Sequence, residues 1–155
     1  MDAPRWSFLI AAGGSGRRLG GKPKQFRELA GRPLWKWSWA VAEELRRRGE
    51  IKDIVLVVPC EYERGIRKET KDIELTVTCG GATRSESVVK GLMKCRGSHV
   101  LVHDGARPFI TLALCRRLMA AAGGGRGAVP LLPSADSLKR VEGEEVSCAD
   151  RSLYY

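Results

Sequence analysis

The sequence predicts an α/β fold: an open, mostly parallel sheet with crossover helices on both faces. Three observations carry that expectation. Short apolar, β-rich runs alternate with helix-like segments along the chain. The run IVLVV at 54–58 is continuously apolar, as a strand covered on both faces must be. Another apolar run, Phe8-Leu9-Ile10, leads directly into a glycine-rich loop, the way an α/β sheet presents backbone N–H groups at its carboxyl edge.

Residues 8–11 are expected as the first strand. Pro33 then sets the first turn of a helix through LWKWSWAVAEELRRR, ending near Gly49, with Arg46, Arg47 and Arg48 as a solvated run at its C-terminal dipole. Trp35 and Trp39 are four apart and share a core-facing side of that helix, with Trp37 opposite. The strand at 54–58 precedes a weaker helix at 61–71, interrupted by Gly65, and an alternating strand at 73–78. Thr83 opens a helix through the capping box T-R-S-E, with Val88, Val89 and Leu92 as its apolar face. The strand at 100–102 runs into His103-Asp104-Gly105-Ala106-Arg107-Pro108. A helix at 111–122 stops at Gly123-Gly124-Gly125, which turns the chain. Residues 128–132 read as a further strand despite Pro130, and a polar, charged stretch fills 134–151.

At 155 residues the chain has room for one domain, burying roughly 70% of its unfolded surface. No apolar stretch approaches the ~20 residues that span a bilayer, and the apolar segment near the N-terminus is too short for a signal peptide, so a cytoplasmic protein is expected. The five cysteines, Cys60, Cys79, Cys95, Cys115 and Cys148, are odd in number and lack C-x-x-C spacing. They read as reduced, buried thiols rather than a disulfide framework or zinc site. A formal net charge of +9 implies an anionic partner: a nucleotide, a phosphorylated metabolite or a nucleic acid.

The segment AAGGSGRRLGGKPKQ at 11–25 concentrates five glycines and four basic side chains, a combination suited to a polyphosphate. It fits neither common fingerprint. Gly16, Gly21 and Lys22 have P-loop spacing, but Pro23 stands where the magnesium-binding hydroxyl belongs. Gly14 and Gly16 begin a dinucleotide fingerprint whose third glycine falls on Leu19. Pro23 also pushes Lys22 out of the helical region. Lys24 and Arg18 are candidates to stabilise charge that develops during phosphoryl or nucleotidyl transfer.

Asp104, at the end of a hydrophobic run, could hold Mg²⁺ or a ribose hydroxyl, or simply pair with Arg107. His103 stands alone and reads as structural. Gly80-Gly81 ahead of a capped helix offers backbone to a base or phosphate, or is a plain turn.

These loops resemble the 2-C-methyl-D-erythritol 4-phosphate cytidylyltransferase family. The matching pieces are A-A-G-G-S-G-R-R-L-G with P-K-Q-F, G-G-A-T-R-S-E-S-V, V-H-D-G-A-R-P-F, P-x-x-x-S-A-D-S-L-K-R and a final D-R, spanning nearly the whole chain. The resemblance implies a Rossmann-like nucleotidyltransferase of the nucleotide-diphospho-sugar transferase type, a single domain over 1–155. It would join CTP to methylerythritol 4-phosphate and release pyrophosphate, with Mg²⁺ as cofactor. Arg18 and Lys24 would stabilise the transition state, and Ala11, Ala12, Gly13, Gly14, Ser15 and Gly16 would wrap the nucleotide. Gly81 and Ser87 would face the cytosine, with Arg84 supporting that loop. Asp104 and Ala106 would lie near ribose and metal, and Arg107 near the substrate phosphate.

The resemblance further makes 134–151 a protruding β-arm that exchanges between the subunits of a homodimer, carrying Ser137, Lys139 and Arg151 to the partner's site. Ser137 stands where the family usually has threonine. The family also continues past its D-R pair with a T-P-Q segment, further sheet elements and a late lysine, so the chain is expected to be a truncated form carrying most of the CTP site. Pentitol phosphate cytidylyltransferases share the nucleotide loops and offer ribitol 5-phosphate as an alternative substrate. A non-catalytic nucleotide-binding remnant is a third reading. A nucleic-acid-binding module is disfavoured, because the basic residues are dispersed and no R-G-F or helix-turn-helix signature appears.

Overall fold

The computed structural model describes residues 5–14, 22–133 and 137–150, in two compact units, Met1–Arg116 and Arg117–Tyr155. The first unit runs β1 (Trp6–Ala11), β2 (Glu28–Leu29), β3 (Arg32–Pro33), α1 (Leu34–Arg47), β4 (Asp53–Val58), α2 (Cys60–Glu69), β5 (Thr76–Cys79), α3 (Arg84–Leu92) and β6 (His99–Asp104). α4 (Leu112–Ala121) crosses the division in sequence. The second unit contains β7 (Lys139–Glu142) and β8 (Glu145–Cys148).

β1, β4, β5 and β6 form one parallel sheet in the order β5-β4-β1-β6. The chain builds outward from β1 through β4 to β5, then returns across the sheet to place β6 on the other side of β1. That reversal is a topological switch point, and in open α/β sheets the crevice beyond the carboxyl ends of the strands at such a point is where ligands bind. Ala11 is in register with Val57 and Asp104, and Val58 with Cys79, so three loops leave the same edge at nearly one level.

The core explains why the central strands read as uninterrupted apolar runs. Phe8, Leu9 and Ile10 are fully buried, as are Val55 through Val58. Side chains alternate faces along a strand, so both faces must be covered. At the opposite, amino-terminal edge a buried polar cluster knits the sheet. Ser7 Oγ donates to Asp53 Oδ1 (2.6 Å) and accepts from Gly97 N (2.8 Å), while Arg96 N donates to Asp53 Oδ2 (3.1 Å).

α3 is capped as its sequence predicts: Glu86 N donates to Thr83 Oγ1 at 3.1 Å, and Glu86 Oε2 accepts from Ala82 N at 2.9 Å. Its buried side is not the predicted one. Val89 and Leu92 are exposed, Val88 is half-buried, and the inward positions are Ser87 and Gly91. These small residues, four apart, let the helix approach the sheet closely; a Cβ built on Gly91 would lie 2.6 Å from Leu9 Cδ1 and Val57 Cγ2. In α1, Trp35 is buried and Trp39 half-buried, as expected of the core-facing side.

Several sequence readings are corrected. Residues 128–132 form no strand; Pro130 lacks the N–H that a ladder needs. β5 begins at Thr76 rather than 73, and β6 extends to Asp104, making His103 and Asp104 strand residues. The short antiparallel pair β2–β3 went unread because two residues carry no period. Arg46 pairs with Glu43 and Glu74, and Arg47 and Arg48 pair with Glu44, so the run is ion-paired rather than simply solvated. Cys60 and Cys79, read as reduced thiols, are joined as a disulfide with Cα atoms 4.6 Å apart. Cys115 is a buried free thiol as expected, Cys95 is half-buried and Cys148 is exposed rather than buried; the Cys95 and Cys115 thiols are pushed up to about 11 by burial first.

In the second unit β7 and β8 pair as an antiparallel hairpin, Lys139 opposite Cys148 and Glu142 opposite Glu145. Gly143, with φ +64°, supplies the left-handed conformation of its two-residue turn. Both strands are exposed along their length. The three glycines at 123–125 make a tight turn closed by reciprocal bonds between Gly123 and Arg126. No helix among the described residues is long and apolar enough to cross a membrane.

Gly91→Ala is expected to overpack the α3–sheet contact and to cost about 1–3 kcal/mol, read as a lowered urea midpoint with unchanged m-value.

Candidate functional site

Each strand of the carboxyl edge hands its loop to the next by a backbone bond. Ala12 N donates to Val57 O (2.8 Å), Gly80 N to Val58 O (2.8 Å) and Gly105 N to Ala11 O (3.0 Å). Between the first two loops lies a cleft of about 690 Å³, lined by Ala11, Gly13 and Gly14 on one side and Gly80, Gly81, Arg84, Ser87 and Lys90 on the other. Four of its lining residues are glycines, which put no bulk between main chain and ligand, and Pro59, Cys60, Glu61, Thr83 and Glu86 also line it.

Gln25 holds the glycine loop from below. Its side chain is buried, and its Nε2 donates to Ala12 O (2.6 Å) and Gly14 O (2.7 Å). One planar amide thereby fixes two carbonyls two residues apart. Gln25 is itself seated by a 3₁₀ turn, Lys24–Phe26, whose Phe26 ring is buried and stacks on Tyr62 of α2 at 4.5 Å. The turn starts after Pro23, consistent with no helix running through Lys22. Lys24 is exposed at its start. In the sequence Gln25 stands out only as part of P-K-Q-F; a polar residue between Lys24 and an aromatic gives no sign that it is buried.

Ser87 ties the second loop. Its Oγ accepts from Gly81 N (3.0 Å) and donates to Thr83 O (2.9 Å), and it packs so closely on the first loop that a Cβ at Gly13 would meet it at 3.0 Å. Ser87 therefore lines the cleft while its hydroxyl is engaged within the protein. Lys90, one turn further along α3, lines the cleft and donates to Gly80 O at 2.9 Å. It escaped the sequence reading, since a lone lysine on a capped helix has no distinguishing spacing.

At the end of β6 the Asp104 carboxylate accepts from Ala106 N (2.9 Å), with Arg84 Nη1 at 3.3 Å and Arg107 Nε at 4.0 Å. This links the third loop to α3. His103 Nε2 lies 2.9 Å from Arg107 O, and its imidazole pKa is lowered, chiefly by burial. The imidazole is tied to the backbone of its own loop. Arg107 itself extends into solvent with 81% of its side chain exposed.

Among the described residues no three His, Cys, Asp or Glu side chains gather as a metal cage. Asp104 is a single carboxylate beside the cleft. That donor set fits Mg²⁺ of the kind completed by substrate phosphates and water.

Arg18, Ser15 and Gly16 lie outside the described residues, as does Arg151. Ser137 and Lys139 belong to the second unit, both exposed; Lys139 leads β7, its Nζ 2.8 Å from Cys148 Sγ. The structure thus brings Ala11, Gly13, Gly14, Gly81, Arg84 and Ser87 to one cleft, with Asp104 and Ala106 tied to it through Arg84; Ala12 is buried behind it, and neither Lys24 nor Arg107 lines it.

The chain is 37% identical over 138 residues to a 2-C-methyl-D-erythritol 4-phosphate cytidylyltransferase of Thermus thermophilus, a match covering 89% of this chain and 60% of that protein. A protein of the same description from Carboxydothermus hydrogenoformans is 36% identical over 95% of this chain and 65% of its own length. The chain thus spans about three fifths of the length of these two relatives. The crystal structure of the Thermus thermophilus enzyme superimposes with a TM-score of 0.75 at 32% identity, covering 97% of this chain and 66% of that one. The family model for IspD, 2-C-methyl-D-erythritol 4-phosphate cytidylyltransferase, matches residues 7–155, and the chain belongs to that family.

Proposed function

We propose that this chain carries the CTP site of a cytidylyltransferase that joins CTP to 2-C-methyl-D-erythritol 4-phosphate, releasing pyrophosphate. The observation that carries the reading is the cleft between the Gly13–Gly14 loop and the Gly80–Gly81 turn, which sets bare glycine backbone beside the side chains of Arg84 and Lys90, with Glu61 and Glu86 also in its lining. A nucleotide needs close backbone approach on one side and charge neutralisation on the other.

In this reading the substrate phosphate attacks the α-phosphorus of CTP in line, so positioning and electrostatics supply most of the rate. Lys24 and Arg18 oppose the growing negative charge. Gly81 meets the base edge, Asp104 and Ala106 approach the ribose, and Arg107 meets the incoming phosphate. Asp104 would hold Mg²⁺, whose contribution is to neutralise phosphate charge. The exposed hairpin β7–β8 supports the arm of a homodimer, since an isolated two-stranded hairpin is marginally stable and gains from a partner. Ser137, Lys139 and Arg151 are then the arm's contribution to the neighbouring site.

Calorimetric titration of CTP with Mg²⁺, against ATP and a short DNA duplex, tests the reading. Selective CTP binding is expected, weakened about tenfold or more in Lys24→Ala by loss of a charge-assisted contact. Equal binding of ATP, or tighter binding of the duplex, would overturn it. Pyrophosphate release with methylerythritol 4-phosphate but not ribitol 5-phosphate is the expected substrate preference.

Gln25→Glu keeps size but turns a donor into a carboxylate facing two carbonyls. It is expected to weaken CTP binding roughly tenfold, as is Gln25→Ala, while Gln25→Ala also costs about 1–3 kcal/mol of stability for the unpaired buried carbonyls. Wild-type CTP affinity in Gln25→Glu would show that the clamp does not shape the loop.

A further inference from the structure

We propose that Cys60 and Cys79 form a reversible thiol–disulfide site that stiffens the floor of the nucleotide cleft when closed by a low-molecular-weight disulfide. The proposal deepens the cytidylyltransferase reading and rests on it for the ligand.

Placement is the argument. Cys60 is the first residue of α2, immediately after β4, and Cys79 is the last residue of β5, the strand paired with β4. Val58 and Cys79 are register partners, so the start of α2 and the end of β5 meet at the carboxyl edge with Cα atoms 4.6 Å apart, within disulfide range. Cys60 is exposed and lines the cleft beside Glu61 and Gly80. Cys79 is half-buried and directly precedes Gly80-Gly81. The other thiols are placed differently: Cys95 and Cys115 are held protonated by burial, and Cys148 belongs to the hairpin of the second unit.

The chemistry balances with an external disulfide R–S–S–R as oxidant. Cys60, exposed at the start of α2, is the more accessible of the two sulfurs and reacts first. Its sulfur attacks one sulfur of R–S–S–R, forms a mixed disulfide and releases R–S⁻, which takes up a proton. Cys79 then gives its proton to solvent and displaces the second R–S⁻ from Cys60, closing the protein disulfide. Two R–SH leave with the two electrons, and excess thiol reverses both exchanges.

Closure matters because of what Cys79 carries. Gly80 O accepts from Lys90, and Gly81 N donates to Ser87 Oγ, so this turn sets the cleft wall. Apart from the link to Cys60, the turn is positioned by non-covalent contacts: the strand register, the Gly80–Val58 bond, these two contacts and the bond from Ala82 N to Glu86 Oε2. A covalent link to α2 removes conformations that ligand binding would otherwise have to remove, the origin of gains by preorganisation.

The test uses the 155-residue chain incubated with glutathione disulfide or with dithiothreitol, followed by alkylation and peptide mapping. Glutathione disulfide is expected to give a Cys60–Cys79 linkage that dithiothreitol reverses. Amide exchange at Gly81 is expected to slow in the linked form, and CTP to bind about threefold to tenfold more tightly. Cys79→Ser should form no linkage and lose the redox response in both readouts. Free alkylation of both cysteines, a stable glutathione adduct on Cys60 alone, or a linkage leaving Gly81 exchange unchanged would each overturn the proposal. CTP affinity equal in the two redox states would overturn its ligand-binding consequence. If neither form bound CTP while the linkage formed and Gly81 exchange slowed, the thiol–disulfide site would stand and the cytidylyltransferase reading would fall.

Discussion

Everything at the carboxyl edge depends on β1 being hydrogen-bonded along both sides. Parallel pairing with β4 and β6 fixes Ala11 level with Val57 and with Asp104. The bonds from Ala12 N to Val57 O and from Gly105 N to Ala11 O then carry that register one residue into each loop. A one-residue slip would turn Leu9 and Ile10 to opposite faces, and with both faces buried the loss of packing would be large. Core burial and site geometry are therefore the same constraint: the apolar runs hold the strands in register, and the register aims the loops.

Small residues transmit that constraint to α3. Ser87 and Gly91 face the sheet, so the helix sits close enough for Ser87 to touch Gly13 while bonding Gly81 N. A larger residue at either position would push α3 outward and widen the cleft. Gln25 does the complementary task from the other side, occupying the carbonyls of Ala12 and Gly14. The cleft wall is thus shaped by buried polar groups, Gln25 behind the glycine loop and Ser87 in the lining itself.

How much of this was legible in the sequence follows from what each signal measures. Continuous apolar runs report burial, so β1 and β4 and the parallel sheet could be read directly, and the T-R-S-E cap marked the start of α3 because capping is local chemistry. The inner face of α3 was misread because hydrophobicity marks what can be buried, whereas close approach selected Ser87 and Gly91 and left Val89 and Leu92 outside. Strand order was out of reach of periodicity, and with it the meeting of Cys60 and Cys79 across 19 residues. Gln25 and Lys90 were missed for the same reason: their partners are backbone carbonyls, which every residue has and no motif records. The resemblance supplied the family roles of Asp104 and Arg84, but that the two are ion partners 20 positions apart came only from the fold.

The loose pairing around Asp104 has a physical use in the proposed reaction. Arg84 and Arg107 both approach its Oδ2, at 3.3 Å and 4.0 Å, with most of each side chain in water. Exposed ion pairs of this kind contribute about 0–1 kcal/mol, so neither guanidinium is strongly committed to the carboxylate. A phosphate carries more charge than a carboxylate and accepts bidentate bonds from a guanidinium, so an arriving phosphate competes well for either one. Release of both would leave Asp104 Oδ2 free to hold a hard cation, while Oδ1 stays oriented by Ala106 N. Weak pairing here holds the cationic groups near the cleft without spending the charge that an anionic substrate must meet.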